Sequence, residues 1–398
     1  MSDFCCGTRR DVQCHFCCRK ATEMPSNEKL HRAKKQKNDE FYTQYADIEK
    51  EMNAYIEYNP DVFRDKIILL PCDDPEWSNF TKYFAQNFER FGIKKLISTS
   101  YAVDSKPKET PYQPTLFETE SPKFDKKKTR SHGKIFILER DTNKDKKIDI
   151  NDLEWNYLKG DGDFRSKEVT KLRDEADFII TNPPFSLFRE FFDWVIKSGK
   201  KFCIIGNLNS VTYKEVFPCI KQNQMWMGAT CFNGGATYFI ADPALYEPEK
   251  MSNQKHAYIK DGKFYWRVNG IRWLTDIDHG RRHQPIPLMT MEDNIKFSKH
   301  KEIRNNDYKE YDNYDALEVP HVDAIPSDYS GLMGVPISYL DKHCPEQFGI
   351  IGCSDNGLVD SKYKKPHFKR HNEPYLDGKK VYKRIFIKHK EQHNENNT

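Results

Sequence analysis

Four consecutive residues, Asn182-Pro183-Pro184-Phe185, have the types and spacing that could activate a weakly nucleophilic amine. An aromatic amine such as adenine N6 delocalises its lone pair into the ring and attacks a methyl donor poorly. The Asn182 side-chain oxygen and the Pro183 carbonyl can accept hydrogen bonds from its two hydrogens, which localises the lone pair towards an approaching methyl group. The prolines fix φ, and Phe185 offers a flat face for a base taken out of its stack. The motif therefore predicts methylation of an exocyclic amino group.

The context of the motif supports this interpretation. It follows an apolar run at residues 176–180 that has the composition of a buried strand. The structural alternative is an Asn-Pro turn, since such dipeptides commonly start turns. We favour the catalytic interpretation because a strand end is the context that the chemistry requires.

The sequence predicts alternating strands and helices around the motif. The strands are short and apolar and lie at residues 67–70, 96–100, 177–180 and 202–205. The helices have apolar residues at helical spacing and lie at residues 77–88 and 187–198. Strands separated by helices indicate an α/β fold with a parallel, three-layer sheet. Ligands bind such sheets beyond the carboxyl ends of the strands, where we expect Asp73, Asp74 and Asn182.

Length and composition allow two domains. The chain has 398 residues, 37% of them hydrophobic, and a net charge of +4, so no strong global field predicts a polyanionic partner. Helical periodicity fades near residue 240, so we expect a catalytic domain at residues 28–240 and a target-recognition, DNA-binding region at residues 241–398. Lysine and arginine cluster locally and could contact phosphates, at residues 32–37, 123–134, 281–283 and 362–390.

Cysteine usage and hydropathy bear on metal binding and location. Five of the 11 cysteines fall in the first 18 residues, and Cys14 and Cys17 have the gap of a zinc knuckle. No second spaced pair follows, so we expect residues 1–27 to be a disordered Cys-rich tail rather than a zinc site. The chain has no signal peptide and no apolar run of transmembrane length, so we expect a soluble, cytoplasmic protein with reduced cysteines and no membrane partner.

Acidic residues between Asp141 and Asp152 match several ligand positions of a calcium-binding EF-hand loop. Lys146 stands where such a loop needs glycine, and Asp152 replaces the bidentate glutamate. We therefore expect a polar hairpin, and no metal cofactor.

The segments together resemble the EcoRI-type adenine-specific DNA methyltransferases, a gamma-type family of N6-adenine amino methyltransferases. The resemblance extends from about residue 29 into the C-terminal region. Its collinear blocks are residues 31–35, 39–44, 72–75, 78–80, 160–165, 181–190, 213–217, 273–276, 278–279, 311–316 and 334–337. The resemblance implies a Rossmann-like S-adenosylmethionine-dependent methyltransferase sheet flanked by helices, with a C-terminal target-recognition module. It also implies S-adenosylmethionine as the methyl donor and adenine N6 in duplex DNA as the acceptor.

The resemblance also implies roles for residues of the donor pocket. Phe41, Tyr42 and Thr43 contribute to it, Asp163 accepts a hydrogen bond from the adenine amino group of the donor, and Phe164 packs beside the donor's ring. From the residues alone, a Gly-Asp-Gly-Asp stretch is often an ordinary turn.

The chain departs from the wider superfamily in two places. Residues 71–75 replace the usual glycine-rich loop after the first strand. Asp73 or Asp74 could bind the amino-acid end or ribose of the donor, or could cap the next helix. No carboxylate ends the strand at residues 96–100, so the ribose-binding residue stays open.

The favoured mechanism is direct methyl transfer to an adenine flipped out of duplex DNA. The C-terminal region would read the sequence, because Arg can pair with guanine edges and Asn with adenine edges. The candidate readers are polar, and they are Arg267, Asn269, Arg272, His279, Arg281 and Arg282. The target would be GAATTC if this region follows the family namesake. We expect a monomer, within a restriction-modification system whose endonuclease shares the site without a stable complex.

Other functions stay open at this stage. An amino methyltransferase acting on RNA or on a protein glutamine could use the same motif. A catalytically dead nucleic-acid-binding protein or a scaffold belongs to a different class, and neither needs intact Asn182, Pro183 and Phe185. Donor binding would separate the enzymes from the other two.

Overall fold

A computed structural model describes residues 42–73, 78–102, 123–148, 152, 154–232, 236–240, 257–260, 263–268, 270–366 and 372–390. Within these ranges the α-helices are α1 (Tyr45–Tyr58), α2 (Asn79–Gln86), α3 (Phe88–Phe91), α4 (Lys128–Ser131), α5 (Lys167–Glu175), α6 (Phe188–Ile196), α7 (Phe217–Lys221) and α8 (Met291–Phe297). The strands of the first half are β1 (Tyr42–Thr43), β2 (Ile67–Leu70), β3 (Lys95–Ser100), β4 (Lys134–Leu138), β5 (Glu154–Tyr157), β6 (Phe178–Thr181), β7 (Lys201–Asn207), β8 (Trp226–Cys231) and β9 (Ala236–Ile240). Those of the second half are β10 (Ala257–Lys260), β11 (Lys263–Val268), β12 (Ile271–Thr275), β13 (Leu317–Glu318), β14 (Met333–Pro336), β15 (Phe348–Cys353), β16 (Tyr375–Leu376), β17 (Lys379–Lys380) and β18 (Arg384–His389).

An eight-stranded mixed sheet forms the centre, in the order β5-β4-β3-β2-β6-β7-β12-β8. The four middle strands β3, β2, β6 and β7 are parallel, as expected. The outer strands pair antiparallel, which the prediction of a parallel sheet did not anticipate. The α/β class is confirmed, and the sheet with its flanking helices is consistent with a methyltransferase fold.

The middle strands are buried on both faces. Ile68, Leu70 and Ile180 pack with α1 and α2 on one face, whereas Leu69 and Ile179 pack with α5 and α6 on the other. This alternation reflects the period of two residues along a strand. The result is the predicted three-layer arrangement.

The predicted helix at residues 77–88 is interrupted. The structure has α2 and α3 in its place, separated by Asn87, whose φ of −107° and ψ of 13° lie outside the helical region. The predicted helix at residues 187–198 is a 3-10 turn at Phe185–Leu187 followed by α6.

The C-terminal region shares a core with the main sheet. Its four-stranded sheet has the order β13-β14-β18-β15. Val335 and Ile385 from this sheet belong to the same apolar cluster as Phe188 of α6. Strand β12 lies beyond the expected boundary at residue 240 yet pairs within the main sheet. The division into domains stays a prediction, and these contacts join the two regions.

The loop after β4 has the polar hairpin character predicted for it, since β4 and β5 pair antiparallel. Asp152 accepts hydrogen bonds from the backbone amides of Thr142 and Asn143 at 2.7 and 3.1 Å. Asp141 accepts from the amides of Lys144 and Lys146. These acidic side chains therefore bind the loop's own backbone. In the described part of the chain, no cluster of His, Cys, Asp or Glu has the arrangement of a metal site, and no helix there is both long and apolar enough to cross a bilayer.

A buried glutamate attaches α1 to the edge strand β8. Glu51 accepts hydrogen bonds from the backbone amides of Ala229 and Thr230 at 2.8 and 2.7 Å, and from the hydroxyls of Thr230 and Tyr55. Burial raises the pKa of the Glu51 carboxyl, and these hydrogen bonds oppose the increase. A buried carboxylate is costly unless it is hydrogen-bonded, and these four donors offset that cost for Glu51.

We expect Glu51→Ala to lower the free energy of unfolding by about 2–4 kcal/mol, because two backbone amides of β8 lose their acceptor. Urea denaturation measures the change. The matched control is Glu49→Ala, an exposed position on the same helix, which should change stability by less than about 0.5 kcal/mol. Equal stability of the two variants would contradict the assigned role.

Candidate active site

The Asn-Pro-Pro-Phe motif lies at the carboxyl end of a central strand. Strand β6 ends at the fully buried Thr181, and the half-buried Asn182 follows it directly. Pro183 is buried, and Pro184 precedes the 3-10 turn that begins at Phe185. The motif therefore connects the middle of the sheet to α6, in the position expected from the sequence.

A second polar residue lies at the end of the neighbouring strand. Asp73 follows β2, is 5% exposed, and accepts hydrogen bonds from the hydroxyls of Ser78 at 2.6 Å and Thr181 at 2.5 Å. Its backbone amide donates to the Thr99 carbonyl in β3 at 3.1 Å. One carboxylate thus connects the ends of β2 and β6 with the start of α2, directly beside Asn182.

Asp73 supports the cap of α2 indirectly. Ser78 is the N-cap residue, and its hydroxyl accepts from the Phe80 amide at 3.1 Å while donating to Asp73. The sequence indicated Asp73 as either a ligand for the donor or a cap. Its bonds to Ser78 and Thr181 were not predicted, since neither hydroxyl has a distinctive sequence pattern. Asp74 lies outside the described residues.

The Gly-Asp-Gly-Asp segment packs against the end of β3. Gly162 has a φ of +84°, and a Cβ placed there would lie 2.2 Å from the Ser100 carbonyl oxygen. The Ala102 amide also donates to the Asp161 carbonyl at 2.7 Å. Glycine is required by both the backbone conformation and the close approach. This packing brings Asp163 to the carboxyl ends of the parallel strands, where Asp73 and Asn182 also lie.

Arg165 orients the Asp163 carboxylate. Its Nε donates to Asp163 Oδ1 at 2.9 Å and its Nη2 donates to Oδ2 at 2.6 Å, while its Nη1 donates to Glu190 of α6 at 2.6 Å. The bonds to Asp163 raise the pKa of Arg165 above its ordinary value. Arg165 lies in the block at residues 160–165, but its role does not follow from the sequence, where an arginine two residues after an aspartate is only a weak indication of such a pair.

Phe164 belongs to the core beneath this segment. It is 5% exposed, and its ring lies 5.1 Å from that of Phe191 and 5.7 Å from that of Trp194, both edge to face. Phe164 therefore packs against α6, the helix that follows the Asn182 loop.

The segment before α1, which contains Thr43, also lies near the carboxyl ends of the parallel strands. The Thr43 carbonyl accepts a hydrogen bond from Asn79 Nδ2 at 2.7 Å, which brings Thr43 close to the start of α2. The buried Thr43 Oγ1 has no hydrogen-bond partner among the described residues. A buried hydroxyl normally has a partner, so this oxygen fits a site completed by a polar ligand. Phe41 lies outside the described residues, and only the backbone of Tyr42 is described.

Two of the candidate DNA readers bind partners within the protein. Arg272 forms a bidentate ion pair with Asp341, with its Nε and Nη2 at 2.8 and 2.9 Å from the carboxylate. His279 is 2% exposed, and its Nε2 lies 3.0 Å from the Met227 carbonyl. Burial lowers the pKa of His279 to about 4, so the ring is neutral at physiological pH. Both side chains are therefore engaged within the protein, and their role in reading bases stays a prediction.

The neighbouring arginines also bind within the protein. Arg282 is 8% exposed, lies 3.5 Å from the Trp226 ring centre, and donates to Asn223 at 2.5 Å. Arg281 donates to the Ala229 carbonyl at 2.8 Å. Of the remaining candidates, the structure describes only the backbone of Arg267 in β11, and Asn269 lies outside the described residues.

Comparison with known proteins identifies one family along most of the chain. The family model described as "Adenine-specific methyltransferase EcoRI" matches residues 29–390. The chain is 39% identical over 365 residues to the Type II methyltransferase M.EcoRI of Escherichia coli, which covers 92% of this chain and 97% of that protein. It is 31% identical over 366 residues to the Type II methyltransferase M.MpnI of Mycoplasma pneumoniae, covering 91% and 98% of the two chains. No solved structure matches the chain.

These matches confirm the resemblance seen in the sequence blocks, and they cover both the Asn182 motif and the segments around Asp73 and Asp163. The chain therefore belongs to the EcoRI family of adenine-specific methyltransferases.

Proposed function

We propose that this adenine-specific methyltransferase transfers the methyl group of S-adenosylmethionine to N6 of an adenine flipped out of duplex DNA. The observation that carries the proposal is the Thr181–Asp73 hydrogen bond of 2.5 Å. It joins the residue before the Asn182 motif to the strand end that faces the proposed donor site. The target adenine and S-adenosylmethionine would meet beside this hydrogen bond, at the adjoining ends of β6 and β2.

The donor site that we propose contains Thr43, Asp73 and Asp163. Thr43 contributes a buried hydroxyl that lacks a partner among the described residues. Arg165 presents Asp163 as a charged acceptor, which suits the exocyclic amino group of the donor's adenine. We retain Phe41, Tyr42, Asp74 and Phe164 in this site as predictions. S-adenosylmethionine, when bound, supplies an electrophilic methyl group on sulfonium sulfur.

The residues of this chain would act on the amine. Asn182 Oδ1 and the Pro183 carbonyl accept the two N6 hydrogens, and Phe185 stacks on the everted base. Pro183 and Pro184 hold the loop rigid, so the acceptors are positioned before the base arrives. No general base is required while the methyl group is transferred, because the proton leaves N6 after the nitrogen has become cationic.

The family assignment favours duplex DNA over RNA or protein as the substrate. The relatives carry the name Type II methyltransferase, which supports a role in a restriction-modification system. We propose a monomeric enzyme, and a cognate endonuclease that shares its site without a stable complex. GAATTC stays a prediction for the target, as does a cytoplasmic location.

The experiment that tests the proposed function is transfer of labelled methyl from S-adenosylmethionine to mixed-sequence duplex DNA, followed by identification of the modified nucleoside. We expect N6-methyladenine. Label in RNA or protein but not in DNA would contradict the acceptor assignment, and a failure to bind the donor would contradict the enzyme assignment.

We expect Asn182→Ala to lower kcat by at least about 100-fold while donor affinity changes less than threefold, because the lost acceptor acts on N6 in the transition state. Single-turnover methylation and donor titration measure the two effects. The matched control is Asn306→Ala, at an exposed loop position, which should keep wild-type activity. Wild-type kcat in Asn182→Ala would exclude the proposed role of the motif.

We expect Arg165→Gln to weaken donor binding about tenfold, because the Asp163 carboxylate loses the two side-chain bonds that orient it. Calorimetric titration with S-adenosylmethionine measures the affinity. The matched control is Arg140→Gln, which removes a side chain that is 76% exposed and pairs with Glu154 at 3.3 Å. Unchanged affinity in Arg165→Gln would remove Asp163 from the proposed donor site.

A further inference from the structure

A short β-hairpin near the C-terminus presents lysines to solvent. Strands β16 and β17 pair antiparallel around Asp377 and Gly378, which have φ values of 50° and 73°. Positive φ at both central residues is the geometry of a type I′ turn, for which Asp-Gly is a favoured sequence. Lys379 and Lys380 are exposed on the outgoing strand. We refer to residues 375–380 as the basic hairpin.

The basic hairpin is held rigidly by the segment that precedes β13. Asp312 accepts hydrogen bonds from the backbone amides of Asp377 at 3.2 Å and Gly378 at 2.8 Å. Asn313 accepts from the Tyr375 amide at 3.0 Å. A hairpin this short is unstable by itself, so these bonds fix its direction relative to the rest of the protein.

The chain that leaves the basic hairpin is attached to the end of β7. Tyr382 is 61% exposed, and its hydroxyl donates to Asn209 at 2.7 Å. Lys383 Nζ donates to Thr212 Oγ1 at 3.1 Å. Asn209 and Thr212 belong to the 3-10 turn Leu208–Thr212, which directly follows β7.

The end of β7 lies close to Asn182. In the parallel register of β6 and β7, Thr181 lies opposite Ile204, and Asn207 is three residues further along β7. Ordinary strand spacing then gives a separation of about 11 Å between Thr181, the residue before Asn182, and Asn207. The major groove of B-DNA alone is about 12 Å wide. A duplex that delivers a base to Asn182 would therefore extend over the end of β7 and the chain attached to it.

The charge of this segment suits a polyanion. Residues 372–390 contain six lysines and arginines and two acidic residues. Lys383 and Arg384 pair with Asp355 and Glu318 outside this segment, so the segment keeps an excess of two positive charges after these pairs. Lys380 pairs with Glu373 at 2.9 Å, and Asp377 pairs with Lys309 at 2.6 Å, all with exposed side chains. Such exposed ion pairs contribute little stability, so phosphates can replace them at low cost.

We propose that the basic hairpin binds the phosphate backbone of duplex DNA beside the flipped adenine, with Lys379 and Lys380 as the phosphate contacts and Tyr382 as the connection, through Asn209, to the end of β7. This inference rests on the proposed function, because it assumes that Asn182 receives its base from a duplex. The hairpin positions the duplex and does not read its sequence, since phosphate contacts carry no base information.

The test compares the double variant Lys379→Gln/Lys380→Gln with wild type in equilibrium binding to duplex DNA between 50 and 200 mM salt. Loss of two phosphate contacts should reduce the slope of log affinity against log salt by about 1.8 and weaken binding at 100 mM salt at least about tenfold. Donor affinity should stay unchanged, which shows that the variant is folded.

The matched control is Lys197→Gln/Lys201→Gln. It removes the same charge from two exposed side chains, which are 70% and 56% exposed. Lys197 follows α6 and Lys201 begins β7, so both lie at the amino ends of the parallel strands, away from Asn182. Its salt slope should match that of wild type.

An unchanged salt slope in the hairpin variant, or an equal reduction of the slope in both double variants, would overturn the hairpin proposal. The proposed function would still hold in that case if the wild type methylates duplex DNA. Failure of the wild type to methylate duplex DNA would overturn the proposed function itself, and the hairpin proposal with it.

Discussion

The hydrogen bonds of the buried Asp73 carboxylate are the interaction on which the arrangement of the site depends. Burial of a carboxylate costs several kcal/mol unless its oxygens are hydrogen-bonded. Asp73 meets this requirement with the hydroxyls of Ser78 and Thr181, which fixes the start of α2 and the end of β6 relative to β2. A shift of α2 or of β6 away from β2 would remove one of these two hydrogen bonds from a buried carboxyl group. The Asn182 loop begins one residue after Thr181, so its position follows from the same constraint.

A second set of contacts joins the Asp163 segment to the helix that follows the Asn182 loop. Arg165 bridges Asp163 and Glu190, and Phe164 packs between Phe191 and Trp194. Helix α6 therefore receives the Asn182 loop at its start and supports the Asp163 segment along its side. The C-terminal sheet packs into the same apolar cluster, which connects the proposed DNA-binding region to α6 and so to the Asn182 loop.

The sequence predicted the positions of short buried strands and of the loop residues that follow them, because these depend on the apolar pattern of neighbouring residues. The strand at residues 67–70 coincides with β2 because an apolar run of this length fits a buried strand and is too short for an ordinary helix. The position of Asn182 followed from its place after β6. The antiparallel outer strands were not predicted, since strand direction is decided by tertiary pairing. Partners distant in sequence were equally hidden, such as Thr181 for Asp73, 108 residues away, and Asp341 for Arg272, 69 residues away. An arginine that pairs internally has the same sequence pattern as one that reads a base.

We propose that the methyl donor and the target adenine meet at the joined ends of β2 and β6. A crystal structure of the protein with S-adenosylhomocysteine and a duplex that contains its methylation site would show whether they do. We expect an everted adenine with N6 about 3 Å from both Asn182 Oδ1 and the Pro183 carbonyl oxygen, and the cofactor product against Thr43, Asp73 and Asp163. A base that remains stacked in the fully bound duplex, or a cofactor product bound away from the ends of β2 and β6, would exclude this arrangement.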